Sequence, residues 1–270
     1  MRYMVCSIAR HHVGVEPAQL ERLGKIRRRA TPQAGGMAER NRERLRPFDD
    51  PRRVRDLLGL PARLLAKVRQ AGAPTPRRAL ELQAAVAIEL LIMVPVRIRN
   101  LAALRVGADL LRGRRGAMTL ALREGDTKNG APLEAVLPPE TVRLIELYLS
   151  AYQPLLAARP SAWLFPARDG QGPKTEDALR QRIQRCVRER CGLAMHPHLF
   201  RHLAGKLTLD AQPGAYGLVR DILGHKSVNT TTSYYAGMEV KGALRRYDEH
   251  VLRLRDGDAS PPRGARRRRA

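Results

Sequence analysis

Residues 197–202 read PHLFRH, and residues 223–235 read LGHKSVNTTTSYY. Four of the seven histidines of the chain lie between His196 and His225, interleaved with Arg201 and followed by two tyrosines. Aromatic residues make up only 4% of the chain, so such a cluster is improbable as a product of core packing alone. We therefore expect a chemical site in this part of the chain.

A long buried helix is predicted upstream of this cluster. Thr75 followed by Pro76 is the pattern of an N-cap with proline at the first helical position. The residues that follow, ALELQAAVAIELLIMV, are apolar on nearly every face, which is typical of a buried helix. Pro95 ends this helix, and Arg97 lies just beyond the break.

A β-hairpin is predicted next, because the strand-like runs MTLAL and PLEAVL flank Asn129-Gly130, the strongest short hairpin signal. Lys128 then lies at the hairpin tip.

Helical patterns occupy most of the remainder: 51–72 (two short helices), NLAALRV, 140–149, 176–190, HLFRHLAGKLTL, YGLVRDIL, a short helix through SVNTTTSYYA, and a final helix. The predicted fold is mainly α with a small antiparallel β-sheet, an α+β class.

The charge balance limits the function classes. The chain has 50 basic and 26 acidic residues, and the net charge of +24 calls for a polyanionic partner, of which nucleic acid is the leading candidate. A membrane surface is the rival, but no run approaches the roughly 18 apolar residues of a spanning helix. The N-terminus lacks a secretory signal pattern and the three cysteines predict reduced thiols, so we expect a cytoplasmic, nucleoid-associated protein.

PHLFRH and LGHKSVNTTTSYY, together with the upstream PVRIRNLAALRV and the hairpin segment DTKNG, resemble the catalytic domain of the tyrosine recombinases, the phage integrase family. The pieces occur in the order and at the spacing of the family. The resemblance covers Thr75 to Val251 and implies the catalytic core of a DNA breaking-rejoining enzyme. It also implies double-stranded DNA as the partner, a homo-oligomer (a tetramer) on DNA, and no small-molecule substrate.

The resemblance carries roles to individual residues. Arg97 is similar to the first arginine of the family, His198 and Arg201 to its HxxR pair, and His225 to its late histidine. Tyr234, nine positions after His225, resembles the nucleophile. The implied site is therefore Arg97, Lys128, His198, Arg201, His225 and Tyr234.

The chemistry of strand cleavage explains these residue types. Two guanidinium groups supply forked hydrogen bonds to the phosphoryl oxygens, which a lysine could not copy. A tyrosine, with an ordinary pKa of about 10, needs a base or a cationic surrounding to lose its proton, and His198 is the implied base. Lys128 is the implied general acid for the leaving 5′-hydroxyl. Asp210 and Asp221 form no obvious ligand set, so we expect neither a metal nor a cofactor.

Several alternatives stay open. Lys128 could be a solvated lysine beside a turn, and His202 is more readily interpreted as a structural residue. A type IB topoisomerase shares the chemistry, and a truncated, inactive DNA-binding relative would keep the fold without cutting. The narrow apolar stripe of the final helix (Val240, Leu244, Tyr247, Val251) could dock on a neighbouring protomer, as the family implies, or fold back on its own domain.

The predicted domain organisation has three parts. Residues 1–74 form a basic arm, richest in Arg, Gly and Pro from Gly24 to Arg55, with a possible remnant of the helical core-binding domain that members of this family usually have. Residues 75–254 form the catalytic domain, and residues 255–270 a disordered basic tail. The chain departs from the common family pattern at Pro95-Val96 (usually Gly-Leu), at Asn100 (often acidic) and at Phe200 (usually Leu).

Overall fold

The computed structural model describes Glu16, Ala18, Gln19, Glu21 and Arg22 and residues 37–126, 132–225 and 227–255. Its contacts divide the chain into two units, Met1–Met37 and Ala38–Ala270. The fold below is that of the second unit. The predicted hairpin tip with Lys128 and the predicted basic tail from residue 256 onward lie outside the described residues.

Helices make up most of the described part of this unit, as the sequence predicts. They are α1 (Glu39–Leu45), α2 (Pro51–Leu58), α3 (Leu60–Gln70), α4 (Pro76–Met93), α5 (Ile98–Ala102), α6 (Pro139–Leu147), α7 (Glu176–Cys191), α8 (Pro197–Ala211), α9 (Tyr216–Leu223) and α10 (Val228–Arg255). A π-helical segment, Tyr148–Tyr152, continues α6.

The central helix is α4, and its sequence signals are confirmed. The Thr75 side chain accepts a hydrogen bond from the amide of Arg78 at 3.3 Å, and Pro76 occupies the first turn. Ten consecutive residues, 82–91, are buried, because α3, α6 and α7 pack around the helix. The helix ends at Met93, and the buried residues Val94 and Val96 lead to the half-buried Arg97.

The sheet has three antiparallel strands in the order β1-β2-β3: β1 (Leu110–Arg112), β2 (Met118–Leu122) and β3 (Leu133–Val136). Leu120 pairs with Leu110 on one side and with Ala135 on the other. In β2 the buried residues alternate with half-buried ones, which places one face of the strand on the core. Strands β2 and β3 match the two predicted strand runs, whereas β1 was not predicted.

The C-terminal part of the unit differs from the sequence prediction in one respect. A short helix through SVNTTTSYYA and a separate final helix were expected, but α10 runs without interruption from Val228 to Arg255. Its first turns are held in the core, where Thr231 is 0% and Tyr235 1% exposed. The two predicted segments are joined through Gly237, which a helix interior tolerates at a cost of about 1 kcal/mol relative to alanine.

The segment before α2 contains buried residues. Leu45 and Phe48 are only 2% and 3% exposed. The Nζ atom of Lys206 in α8 lies 2.8 Å from carboxylate oxygens of both Asp49 and Asp210, and this joins the segment to α8. Since the compact unit begins at Ala38, the residues between 38 and 74 pack with the predicted catalytic domain rather than apart from it.

In the described part of the chain, no helix is both long and apolar enough to span a membrane.

Candidate active site

Four segments bring the described site residues together. Helix α8 carries His198 and Arg201, which lie nearly one turn apart on one side of the helix. Arg97 precedes the first turn of α5 in extended conformation. His225 follows the left-handed Gly224 that ends α9, and Tyr234 lies in the second turn of α10. The site is thus assembled from helix ends and one helix face, with α8 in the middle.

Arg201 joins these segments. It is 5% exposed, and its guanidinium donates hydrogen bonds to the carbonyl oxygens of Pro95 and, at 2.5 Å, of Leu223. Burial and the nearby Arg97 lower the pKa of Arg201 to about 10, so the group remains charged at neutral pH. The side chain therefore fixes the segments of Arg97 and His225 relative to α8 while holding a buried positive charge.

Both candidate histidines are held in the neutral form by their surroundings. Partial desolvation, and then the charges of Arg201 and Arg97, lower the pKa of His198. The same causes, with His198 in addition, lower the pKa of His225. The Nδ1 atom of His225 lies 3.0 Å from the hydroxyl oxygen of Thr231 in α10, so this ring is oriented by the same helix that carries Tyr234.

The two adjacent tyrosines have different environments. Tyr235 is buried, with its hydroxyl 3.3 Å from Nδ1 of His202 and 3.5 Å from the carbonyl oxygen of Arg201, and burial raises its pKa. Its ring fills the space beside Gly205, where a Cβ atom would lie 2.6 Å from the ring. Tyr234 is half-buried, and its ring plane is turned 55° from that of Tyr235. Of the two, Tyr234 is the one that solvent reaches.

His202 lies between the candidate base and the two tyrosines. Its ring meets the ring of His198 edge-on, with centroids 4.7 Å apart, and lies nearly parallel to the ring of Tyr234 at 5.3 Å and 7°. Burial, more than the neighbouring positive groups, lowers its pKa to about 3. From its sequence context His202 is interpreted only as a structural residue, although its position four residues after His198 places it on the same helix face.

A cavity of about 210 Å³ opens beside the arginine pair. Its lining includes Arg97, Arg201, Asn100, Asp221, Gly224 and residues 132–134 of the β3 side of the hairpin. Asn100, which is 8% exposed, was noted in the sequence only as a departure from the family pattern. No group of His, Cys, Asp or Glu in the described residues has an arrangement that could hold a metal ion.

The structure thus brings Arg97, His198, Arg201, His225 and Tyr234 into one region. Lys128, the sixth predicted site residue, falls in the segment that the structure does not describe. The arrangement offers two guanidinium groups that line a small cavity, together with two neutral imidazoles and one accessible phenol on the neighbouring segments. These are the groups needed to bind a phosphodiester and to move a proton from a phenol.

Comparisons with known proteins identify the family and the fold of the chain. The profile of the phage integrase family matches residues 63–240. A structure of the XerH site-specific recombinase bound to difH substrate, a pre-cleavage complex, is similar with a TM-score of 0.50 and 19% identity over 68% of this chain and 50% of that chain. A post-cleavage complex of XerH with palindromic difH substrate gives a TM-score of 0.52 and 18% identity over 70% and 52%.

The chain therefore spans about half the length of these solved recombinases. At this level of identity the likeness concerns the fold. No curated protein matches the chain.

Proposed function

We propose, since this chain belongs to the phage integrase family, that it is a site-specific recombinase or integrase. It would cleave and rejoin double-stranded DNA through a 3′-phosphotyrosine intermediate. The observation that carries the proposal is the accessible phenol of Tyr234 beside α8, the helix that presents His198 and Arg201. The XerH structures were obtained with DNA substrates, which supports a DNA partner for this chain as well.

The proposed step exchanges one phosphodiester bond, in DNA, for another, between DNA and the tyrosine. The phenol oxygen of Tyr234 attacks phosphorus, a new P–O bond forms, and the bond from phosphorus to the 5′-oxygen breaks. The phenol proton passes to His198, and Lys128 protonates the departing 5′-oxygen. Reversal with the same or another 5′-hydroxyl rejoins the strand, so no nucleotide is consumed.

The protonation states of the site residues favour proton transfer from the phenol to His198. His198 is neutral at neutral pH, because desolvation and two arginines lower its pKa, and a neutral imidazole can accept the phenol proton. Arg201 keeps its charge and, with Arg97, would stabilise the charge on the phosphoryl oxygens. His225, oriented by Thr231, would donate a hydrogen bond to one of these oxygens.

One feature favours a second candidate, a DNA-binding relative that does not cut. Two donors of the Arg201 guanidinium are engaged by the carbonyl oxygens of Pro95 and Leu223, which leaves fewer for a phosphate. A type IB topoisomerase is the enzymatic alternative and differs in acting as a monomer. A recombinase would instead assemble on DNA as a homo-oligomer.

The test is covalent capture on a nicked duplex, in which cleavage releases a short strand and cannot reverse. We expect a protein-DNA adduct that survives denaturing electrophoresis. Tyr234→Phe should bind DNA normally and form no adduct, because only the phenol oxygen is removed. Tyr235→Phe is the matched control and should still form the adduct. An adduct that persists in Tyr234→Phe but disappears in Tyr235→Phe would identify Tyr235 as the nucleophile. A folded wild-type protein that forms no adduct would exclude the enzyme and favour the DNA-binding relative that does not cut.

A further inference from the structure

The side chain of His202 contacts the candidate base and both tyrosines of the site. It is 3% exposed, so its place in the core is fixed by packing. One face of its ring is stacked on Tyr234, its edge meets His198, and its Nδ1 atom is 3.3 Å from the hydroxyl of Tyr235. The imidazole therefore contacts both tyrosines at the start of α10 from a rigid position on α8.

Burying this imidazole is energetically unfavourable, which indicates that packing alone does not explain its presence in the core. Its Nε2 atom is buried and has no hydrogen-bond partner among the described atoms, which is unfavourable for a polar group. An apolar side chain of similar volume would avoid that cost. A non-aromatic side chain would, however, lack a flat face on which the ring of Tyr234 can stack.

We propose that His202 is a positioning residue that sets the ring plane of Tyr234 by stacking. Tyr234 is otherwise half-exposed, and a phenol on an exposed helix face has rotamers that point away from α8. The second contact, from Nδ1 to the hydroxyl of Tyr235, holds the neighbouring residue in the space beside Gly205 and so fixes the rotation of α10. The proposal rests on the assignment of Tyr234 as the nucleophile only for its effect on cleavage; the stacking itself does not depend on it.

Two substitutions separate a stacking role from a merely structural one. His202→Phe keeps a planar ring, and His202→Leu fills a similar volume without one. Both remove the hydrogen bond to Tyr235, so Tyr235→Phe serves as the control for that loss. If stacking positions the phenol, His202→Phe should form the adduct on nicked DNA within about 3-fold of the wild-type single-turnover rate, whereas His202→Leu should be slower by about 10- to 100-fold, with unchanged DNA affinity.

A spectroscopic measurement decides the inference independently of cleavage. In full-length protein with 3-fluorotyrosine at position 234, the ¹⁹F resonance should be shifted by the ring current of the stacked imidazole. The shift should persist in His202→Phe and disappear in His202→Leu. Equal cleavage rates and equal ¹⁹F shifts in the Phe and Leu variants would overturn the proposal. A wild type that shows the ring-current shift but forms no adduct would refute the proposed function and leave the positioning role standing.

Discussion

At the scale of single residues, the buried imidazole of His202 makes the stability of the fold depend on pH. A histidine in an unfolded chain titrates near pH 6.5, whereas burial, followed by the charges of His198, His196, Arg201 and His225, lowers the pKa of His202 to about 3. Below pH 6.5 the unfolded state therefore binds a proton that the folded state does not bind. This residue leaves the free energy of unfolding unaffected above that pH and lowers it by about 1.4 kcal/mol for each pH unit below it, until the pH reaches the folded pKa of about 3.

This dependence can be isolated by substitution. Between pH 7 and pH 5, wild type should lose about 2 kcal/mol more of its unfolding free energy than His202→Phe. The other histidines are common to both proteins, so the difference reports the titration of His202 and of its coupling to them. Urea unfolding at the two pH values measures the difference. Identical losses in the two proteins would show that His202 is protonated in the folded state.

Sequence motifs predict which residues form the site, but they do not predict the hydrogen bonds and ring contacts of those residues. Spacing and resemblance indicated His198, Arg201 and Tyr234, since short motifs preserve the order of side chains along a helix. The engagement of Arg201 by the carbonyl of Pro95 depends on segments 106 residues apart, and no local pattern encodes such a contact. The stack of His202 on Tyr234 arises in the same way, from the packing of α10 on α8.

At the scale of secondary structure, capped and buried elements were predicted well. Helix α4 was predicted from Thr75-Pro76 and Pro95 because each end has a local chemical cause. Strand β1 was missed because it has three residues, too few to show an alternating pattern, and forms only through pairing with β2. The division of α10 into two helices was wrong: its first turns are buried and its last turns are exposed, so the apolar pattern changes along one continuous helix.

The apolar stripe on the last turns of α10 supports a prediction about assembly. Leu244 and Tyr247 are 58% and 64% exposed, and Val251 is 39% exposed. Leu244→Asp should therefore change the free energy of unfolding by no more than about 0.5 kcal/mol. It should nevertheless reduce assembly of protomers on DNA, because it places a charge in an apolar contact.

Sedimentation of the protein with a target-length duplex measures the assembly, and thermal unfolding measures the stability. Leu218→Asp is the control, since Leu218 is also exposed (45%) but lies on α9. If Leu244→Asp unfolds the isolated protomer, the stripe folds back on its own domain and docking between protomers is excluded.

At the scale of the whole molecule, the net charge of +24 predicts that DNA affinity depends steeply on salt. Each phosphate contacted releases about 0.9 counterion, so contacts to six phosphates would cost about 10³-fold in affinity between 50 and 200 mM salt. Removing residues 261–270, which read PPRGARRRRA, should lower this slope and weaken binding to all sequences equally. Fluorescence anisotropy titrations on two unrelated duplexes measure both effects. A salt-independent affinity, or a loss confined to one duplex, would contradict the prediction.

The continuity of α10 has a mechanical consequence. From Tyr234 to Val251 the helix rises by about 26 Å, with no break in its hydrogen-bonded turns. Tyr235 and Thr231 are buried in the core near one end of the helix. The apolar side chains of Leu244, Tyr247 and Val251, toward the other end, are exposed. The helix would therefore tilt as one rigid body about its buried end, which lies beside the phenol of Tyr234. A sideways displacement of about 2 Å at Val251 corresponds to a tilt of about 5° of the whole helix, so a contact at its far end would change the orientation of Tyr234 as well.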